Sequence, residues 1–270
     1  MRAAPFIALA PLLLAGCMQL APRHERPAAP VAASFPNADT SAAVQVTADL
    51  PWRDFFADPA LRELIERALA HNRDLRLAVL NIDAVRAQYE LRRADELPTV
   101  GLGANASRVT SGGGKLNNTY TAGLSVAAYE IDLFGRVRSL GDSAAALVLA
   151  SEEARRTVQV SLMASVANQV LALAADDELL ELTQRTLATR LESLKLTQLK
   201  VDHGAAAEPE LRQAQSLVEA ARSTLAQQRR QRDLDLNALA LLVGLPLPEW
   251  PFDAGRLRRT TLPEVAAGLP

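Results

Sequence analysis

The chain is poor in the residues that catalysis, metal binding and covalent cross-linking use. It has one Cys and three His in 270 residues, which excludes a disulfide framework and most zinc sites. His24, His71 and His203 lie so far apart that no two can share a metal by local spacing. A net charge of −2, from 29 basic and 31 acidic groups, leaves no electrostatic footprint for nucleic acid. The mean hydropathy of +0.03 is too low for a bundle of transmembrane helices, each needing about 20 consecutive apolar residues. Aromatics are scarce at 4% although hydrophobic residues reach 49%, so the apolar mass is Ala, Leu and Val. That mixture suits long helices packed through small and leucine side chains.

The N-terminus is a sorting signal. Met1-Arg2 precedes an apolar run from Ala3 to Ala15, a length that fits a signal-peptide core and is too short to span a bilayer. Leu14-Ala15-Gly16-Cys17 resembles the lipobox of bacterial lipoproteins, in which the thiol takes a diacylglycerol and the freed amine is acylated. The alternative is an ordinary signal peptide followed by an incidental thiol. The only Cys of the chain stands where a lipobox needs it, and a multiply acylated terminus anchors stably where one chain is marginal. Met18, rather than Asp, implies delivery to the outer membrane. From Arg23 to Leu50 the chain is rich in Pro and Ala without apolar period, the pattern of an extended tether.

Helical patterning begins at Asp58-Pro59, an Asp cap followed by Pro in the first turn. Leu61, Leu64, Ile65, Ala68 and Leu69 share one face, and Asn72 closes the helix. A second helix is expected from near Asp74 past Tyr89, with Leu75, Ala78, Val79, Ile82 and Val85 as its stripe. Leu97-Pro98 stops it.

The period then becomes twofold. Val100, Leu102, Ala104 and Ala106 alternate with Gly101, Gly103, Asn105 and Ser107. After a loop at Ser111-Gly112-Gly113-Gly114-Lys115, Tyr120, Ala122, Leu124, Val126 and Ala128 alternate with Thr121, Gly123, Ser125 and Ala127. Two strands of about 10 residues match membrane-spanning β-strands in length and alternation. The competing reading is a hairpin half-buried on a soluble core. Against it, the opposite face carries Gly, Ser, Thr and Asn with only scattered charge (Arg108), and the surrounding chain is almost wholly helical.

From Val137 no Pro occurs until Pro209, so residues 137–202 predict a rod of about 100 Å. Val166, Leu173, Leu180, Leu187, Leu194 and Val201 recur at seven-residue spacing. Beyond His203-Gly204 the series resumes as Leu211, Val218, Leu225 and, skipping Arg232, Leu239. This describes an antiparallel coiled-coil hairpin with Gly204 near its tip, or two ordinary long helices of a bundle. Gly244 and Pro246 end the second helix.

Nothing here has the form of an enzyme. Ser111–Leu116 contains Gly-Lys, but a phosphate loop needs Gly at 109 and Ser or Thr at 116, where the chain has Val109 and Leu116. Asp176-Asp177-Glu178 reads as a solvated helix face, and so does Arg229, Arg230 and Arg232 beside Asp233 and Asp235.

A lone two-stranded hairpin cannot stand in hydrocarbon, because each unpaired backbone group at its edges costs several kcal/mol. It must join other strands in a closed barrel, and the apolar helix seams need partners as well. A barrel in the outer membrane continued by a helical tube in the periplasm answers both needs.

Specific segments carry a resemblance to such a family. Trp52-Arg53-Asp54-Phe55-Phe56-Ala57-Asp58-Pro59-Ala60-Leu61 and Asn72-Arg73-Asp74-Leu75 resemble the opening of the TolC-type outer-membrane efflux factors, lipoprotein branch. Tyr129-Glu130-Ile131-Asp132-Leu133-Phe134-Gly135-Arg136 resembles the family signature at the entry to the long helix. Gly204 to Arg222 is similar to the family's hairpin tip and return helix. The resemblance implies a mainly α fold with a membrane β-hairpin, in which long antiparallel coiled-coil helices form an α-barrel and the hairpin contributes to a β-barrel. It implies a trimer carrying drugs or other small toxic compounds from an inner-membrane RND pump through a periplasmic adaptor. A covalent lipid on Cys17 is the only prosthetic group expected.

The corresponding organisation is a signal peptide over 1–16, a lipidated N-terminus and periplasmic tether over 17–57, and equatorial helices over 58–98. A transmembrane β-hairpin follows over 99–132, then a long periplasmic helical hairpin over 133–245. Residues 246–270 form a linker to a second repeat absent from this chain. His203, Gly204, Glu208 and Pro209 are the expected adaptor contacts at the tip. Pro209 departs from the family's Ser-Glu-Leu-Asp-like entry; it is tolerable at a helix start, and altered adaptor docking there is the expectation. Three copies of one hairpin supply about six strands, short of the roughly eight in small membrane barrels. Six copies, a separate second-half chain, or a truncated form that does not conduct are the expectations that follow. The rival function is a structural or adaptor lipoprotein built on a periplasmic coiled coil.

Overall fold

The computed structural model describes residues 51–126 and 129–247, together with 21, 22, 25–28 and 30. Cys17 and most of the 246–270 segment lie outside the described residues, as do Ala127 and Ala128 at the expected end of the second strand. The order of elements is α1 (Trp52–Phe55), α2 (Pro59–His71), α3 (Arg73–Ala94), β1 (Val100–Ser111), β2 (Lys115–Val126), α4 (Arg136–Asp202) and α5 (Glu208–Val243). The chain divides into two compact units, whose described parts are mainly 78–155 and 51–77 with 156–247.

In the second of these units, α2 starts as its sequence requires. Asp58 Oδ1 accepts the Ala60 amide at 3.0 Å, and Pro59 occupies a first-turn position that needs no donor. Arg62 fastens the preceding turn by donating to the carbonyls of Phe56 and Ala57, both at 2.7 Å. The expected stripe is the buried one: Leu64, Ile65 and Ala68 pack with Val166 and Leu173 of α4 and with Leu239 and Val243 of α5. Burial of each such large side chain is worth about 1.5–3 kcal/mol. By length and composition α4 is the one described helix able to cross a bilayer. Its Leu162, Val166, Val170 and Leu173, however, are already buried in this core.

The seven-residue series on α4 changes character along its length. Val166 and Leu173 are fully buried, whereas Leu180, Leu187, Leu194 and Val201 toward the tip are half-buried. On α5, Leu211, Val218, Leu225 and Leu239 are all buried. The positions between them include Ala214, Ala221, Thr183 and Thr197. Toward the tip, where the series supplies one large apolar residue per heptad, the seam between α4 and α5 is narrower than a full a/d stripe.

In the other unit, β1 and β2 pair antiparallel over 12 residues each, longer than the expected ten. The expected five-residue loop is shorter as well. Ser111 pairs with Lys115, leaving Gly112-Gly113-Gly114 as a three-residue turn in which Gly113 and Gly114 take φ of 103° and 80°. On α3, Ile82 is buried and Val85 half-buried, but Val79 is 43% exposed and stands off the stripe. Its offset of four from Leu75 carries it round the helix beyond the face that Ala78 and Ile82 hold.

Candidate functional site

The hairpin register decides which side chains share a face. Val100 pairs with Val126, Leu102 with Leu124, Ala104 with Ala122, and Ala106 with Tyr120. These four rows are apolar, and the next row on the same face pairs Arg108 with Asn118, so Arg108 lies on this face toward the turn and not on the opposite one as expected. The alternate rows, Gly101–Ser125, Gly103–Gly123, Asn105–Thr121 and Ser107–Thr119, make the other. Leu102 is 83% exposed and Leu124 77%, so the apolar face is covered by no described residue. Twelve residues rise about 40 Å, and at a tilt near 45° they cover the hydrocarbon thickness.

Past Val126 the chain turns into α4 through a set of polar bonds. Asp132 accepts the Arg136 amide at 2.7 Å on one oxygen and the Arg138 amide at 2.9 Å on the other. It thereby satisfies donors that the first turn of a helix leaves orphaned. The Arg138 amide, with those of Arg136, Val137 and Gly135, holds the Asp132 carboxyl below its usual range. Glu130 takes a bidentate pair from Arg136, with the Nε contact at 2.9 Å, and this pair lowers its pKa. Gly135, at φ 73°, makes the bend. Tyr129 donates to the Glu96 carbonyl at 3.4 Å. Around this turn Tyr89, Arg93, Glu96, Arg138 and Asp142 help to line a cavity of about 540 Å³.

At the far end of α4 the four expected tip residues come together in one reversal. The Gly204 amide donates to the Val201 carbonyl at 2.9 Å and the Ala205 amide to the Lys200 carbonyl at 2.7 Å. With Gly204 at φ 69°, this is a Schellman termination. His203 is the cap residue before it. Glu208 and Pro209 open α5 after Ala207, which offers no side-chain cap. Glu208 pairs with Arg212 at 2.7 Å, one turn on. All four tip residues are exposed. Cys17 lies outside the described residues. Among the described residues no three His, Cys, Asp or Glu side chains converge as metal donors.

Two polar groupings were not legible as sites. The first is Asn72, which is buried. Its Oδ1 caps α3 by accepting the Leu75 amide at 2.9 Å, and its Nδ2 donates to the Leu242 carbonyl at the end of α5, also at 2.9 Å. Gly244 sits beside it at φ 79°, where a Cβ would fall 2.3 Å from the His71 carbonyl oxygen.

The second corrects part of the two solvated faces expected on the long helices: Arg229, Arg230 and Asp233 are exposed as expected, whereas Asp176, Asp177, Glu178, Arg232 and Asp235 are not fully so. Asp176 is 8% exposed, and Arg232 bonds Asp177 at 2.5 Å with side chains 26% and 11% exposed. Gln169 donates to the Asp235 backbone carbonyl and Gln231 to the Asp235 carboxylate, each at 3.0 Å. Acid from α4 and base from α5 meet inside the hairpin because Arg232 fills a heptad slot. The skipped position in the apolar series was the available signal.

Residues 64–245 match the family model described as outer membrane efflux protein. The chain is 42% identical over 275 residues to the probable efflux pump outer membrane protein TtgC of Pseudomonas putida, covering 98% of this chain and 57% of that protein. It is 36% identical over 281 residues to outer membrane protein OprJ of Pseudomonas aeruginosa, covering 98% and 58%. Among solved structures it is similar to the open state of the MtrE outer membrane channel of Neisseria gonorrhoeae. That match has a TM-score of 0.70 and 39% identity, over 86% of this chain and 52% of the channel. The chain thus spans somewhat more than half the length of the curated relatives it matches.

Proposed function

Since the chain belongs to the outer membrane efflux protein family, we propose that it is an outer-membrane channel component of a tripartite RND-type efflux system, exporting drugs or other small toxic compounds. Its β-hairpin lies in the outer membrane, and its helices extend the conduit into the periplasm. The observation that carries this reading is the register of β1 and β2. It gathers Val100, Leu102, Leu124 and Val126 on a fully exposed apolar face and leaves Gly, Ser, Thr and Asn on the other. An apolar outer face over a small, polar inner face is what a strand between lipid and a water-filled lumen requires.

The hairpin's edges impose a partner. Among the described residues each strand pairs only with the other, so further strands close the ring, from other copies of the chain or from a second-half chain. A lipid on Cys17 holds the N-terminus at the membrane, and 17–57 tethers it to the helices. The exposed reversal at His203, Gly204, Glu208 and Pro209 is the contact for a periplasmic adaptor, which joins the conduit to its inner-membrane pump. The family is one of transport channels, and the chemistry asked of this chain is passage rather than catalysis.

The test is topological. Lys115, beside the triple-glycine turn, stands on the extracellular side in this reading. Lys115→Cys labelled by a membrane-impermeant maleimide on intact cells is the expected result. Labelling that begins only after the outer membrane is opened would overturn the channel reading.

A further inference from the structure

The helical hairpin holds a buried carboxyl group with one oxygen left without a hydrogen-bond donor. Asp176 is 8% exposed, and its Oδ2 is sealed from solvent with no hydrogen-bond donor among the described residues. The charged groups around it are Asp177 on its own helix and Arg232 and Asp235 on α5. Arg232 is engaged with Asp177. Asp235 has its own donor in Gln231 and faces Asp176 with its carboxyl. Two carboxylates meeting in a poorly solvated site cannot both stay ionised without a cation between them.

The geometry limits what that cation is. Two carboxyl groups fall short of the six to eight oxygens that calcium takes, or the octahedral shell of magnesium, and the Arg232 guanidinium already stands beside them. A side-chain cation from another protein has no route to an oxygen sealed from solvent. A proton needs no space.

We propose that Asp176 and Asp235 form a proton-binding site in the waist of the α4–α5 hairpin, with one proton carried on Asp176 and shared with Asp235. Its loss to water leaves two facing carboxylates and loosens the hairpin at that level. The pairing of α4 with α5 is therefore tighter in acid. This holds whether or not the chain forms a channel.

The titration agrees in direction. Burial, then the hydrogen bond and charge of Asp235, then the charge of Asp177 push the Asp176 carboxyl up to about 6, while Arg232 opposes them. Gln231 holds Asp235 below its usual range. A carboxyl whose folded pKa is raised binds its proton more tightly when folded than when unfolded. Its contribution to stability is complete below the ordinary Asp value near 4 and is lost as pH rises through about 6.

The experiment uses the full chain in detergent micelles, followed by infrared spectroscopy and by urea unfolding of the helical signal. A protonated-carboxyl band that persists near pH 5, disappears by about pH 7.5 and is missing from Asp176→Asn is expected, with Asp177→Asn retaining it. Relative to Asp176→Asn, the wild-type ratio of folded to unfolded chain should fall between about tenfold and a hundredfold from pH 4 to pH 7. If Asp176→Asn fails to fold, Asp235→Asn serves instead, and there the band should move down toward the ordinary Asp range. A wild-type chain with no such band at pH 5, or a band unchanged in either variant, would overturn the proposal.

Discussion

Two glycines with nearly the same backbone angle offer a test in which only tertiary structure differs. Gly204 ends α4 at φ 69° and Gly244 ends α5 at φ 79°. An alanine at either site meets the left-handed penalty of about 1–2 kcal/mol, offset in part because alanine narrows the unfolded ensemble by about 0.4–1 kcal/mol. At Gly204 nothing lies within 4 Å of the added Cβ, so Gly204→Ala should cost about 1 kcal/mol. At Gly244 the Cβ falls 2.3 Å from the His71 carbonyl oxygen, 2.8 Å from its carbon and 3.2 Å from the Asn72 amide nitrogen. All three are backbone atoms, so no side chain can swing aside. The end of α5 must back away from α2, which strains the Asn72–Leu242 bond and the packing of Val243. Overpacking adds about 1–3 kcal/mol, giving a total of about 2–4 kcal/mol for Gly244→Ala. Urea unfolding of the helical circular dichroism signal measures both variants side by side. Equal costs would refute the reasoning, because they would mean that the approach of α5 to the α2–α3 junction is not a close one.

Further expectations concern the polar groups. Asn72→Ala removes the cap of α3 and orphans the Leu242 carbonyl, and should cost about 2–3 kcal/mol in the same assay, whereas Asn72→Asp should retain the cap but set a buried carboxylate oxygen against the Leu242 carbonyl. Arg232→Leu restores the missing apolar step of the α5 series but removes the cation that opposes protonation of Asp176. The infrared titration of that carboxyl should therefore move above about 6. Asp132 is held below its usual range by helix-start amides, so its contribution is present above about pH 4 and is lost as pH falls through its folded value. Amide-exchange protection at Arg136 and Arg138, taken relative to the intrinsic rate at each pH, should fall in acid, and in Asp132→Ala it should be low at every pH. Purified membranes should hold the wild-type chain through acylation, and Cys17→Ala should carry no lipid by mass spectrometry.

Where local chemistry rules, the structure follows the residues closely. The Asp58 cap, the Gly204 reversal, the twofold alternation of β1 and β2 and the heptad positions of α4 and α5 all come from short-range demands on φ, on hydrogen-bond donors and on which face a side chain occupies. Val79 departs because a stripe read at steps of three and four is wider than the strip that the fold buries. The charged residues depart for a different reason. Asp176, Asp177, Arg232 and Asp235 read as solvent-facing along one helix, because a single helix does not say what lies opposite. The skipped heptad at Arg232 marked the place without saying why.

By itself the sequence determined the kinds of element, their order, the caps that end them and the two unlike faces of the β-hairpin, since each depends on residues within a few positions of one another. Packing alone made Asn72 join α3 to α5, made Gly244 glycine for want of room, and brought a buried Asp176 against an Asp235 that stands 59 positions away. Those outcomes depend on which surfaces meet when the chain doubles back. Meeting is a property of packing, which no local pattern records.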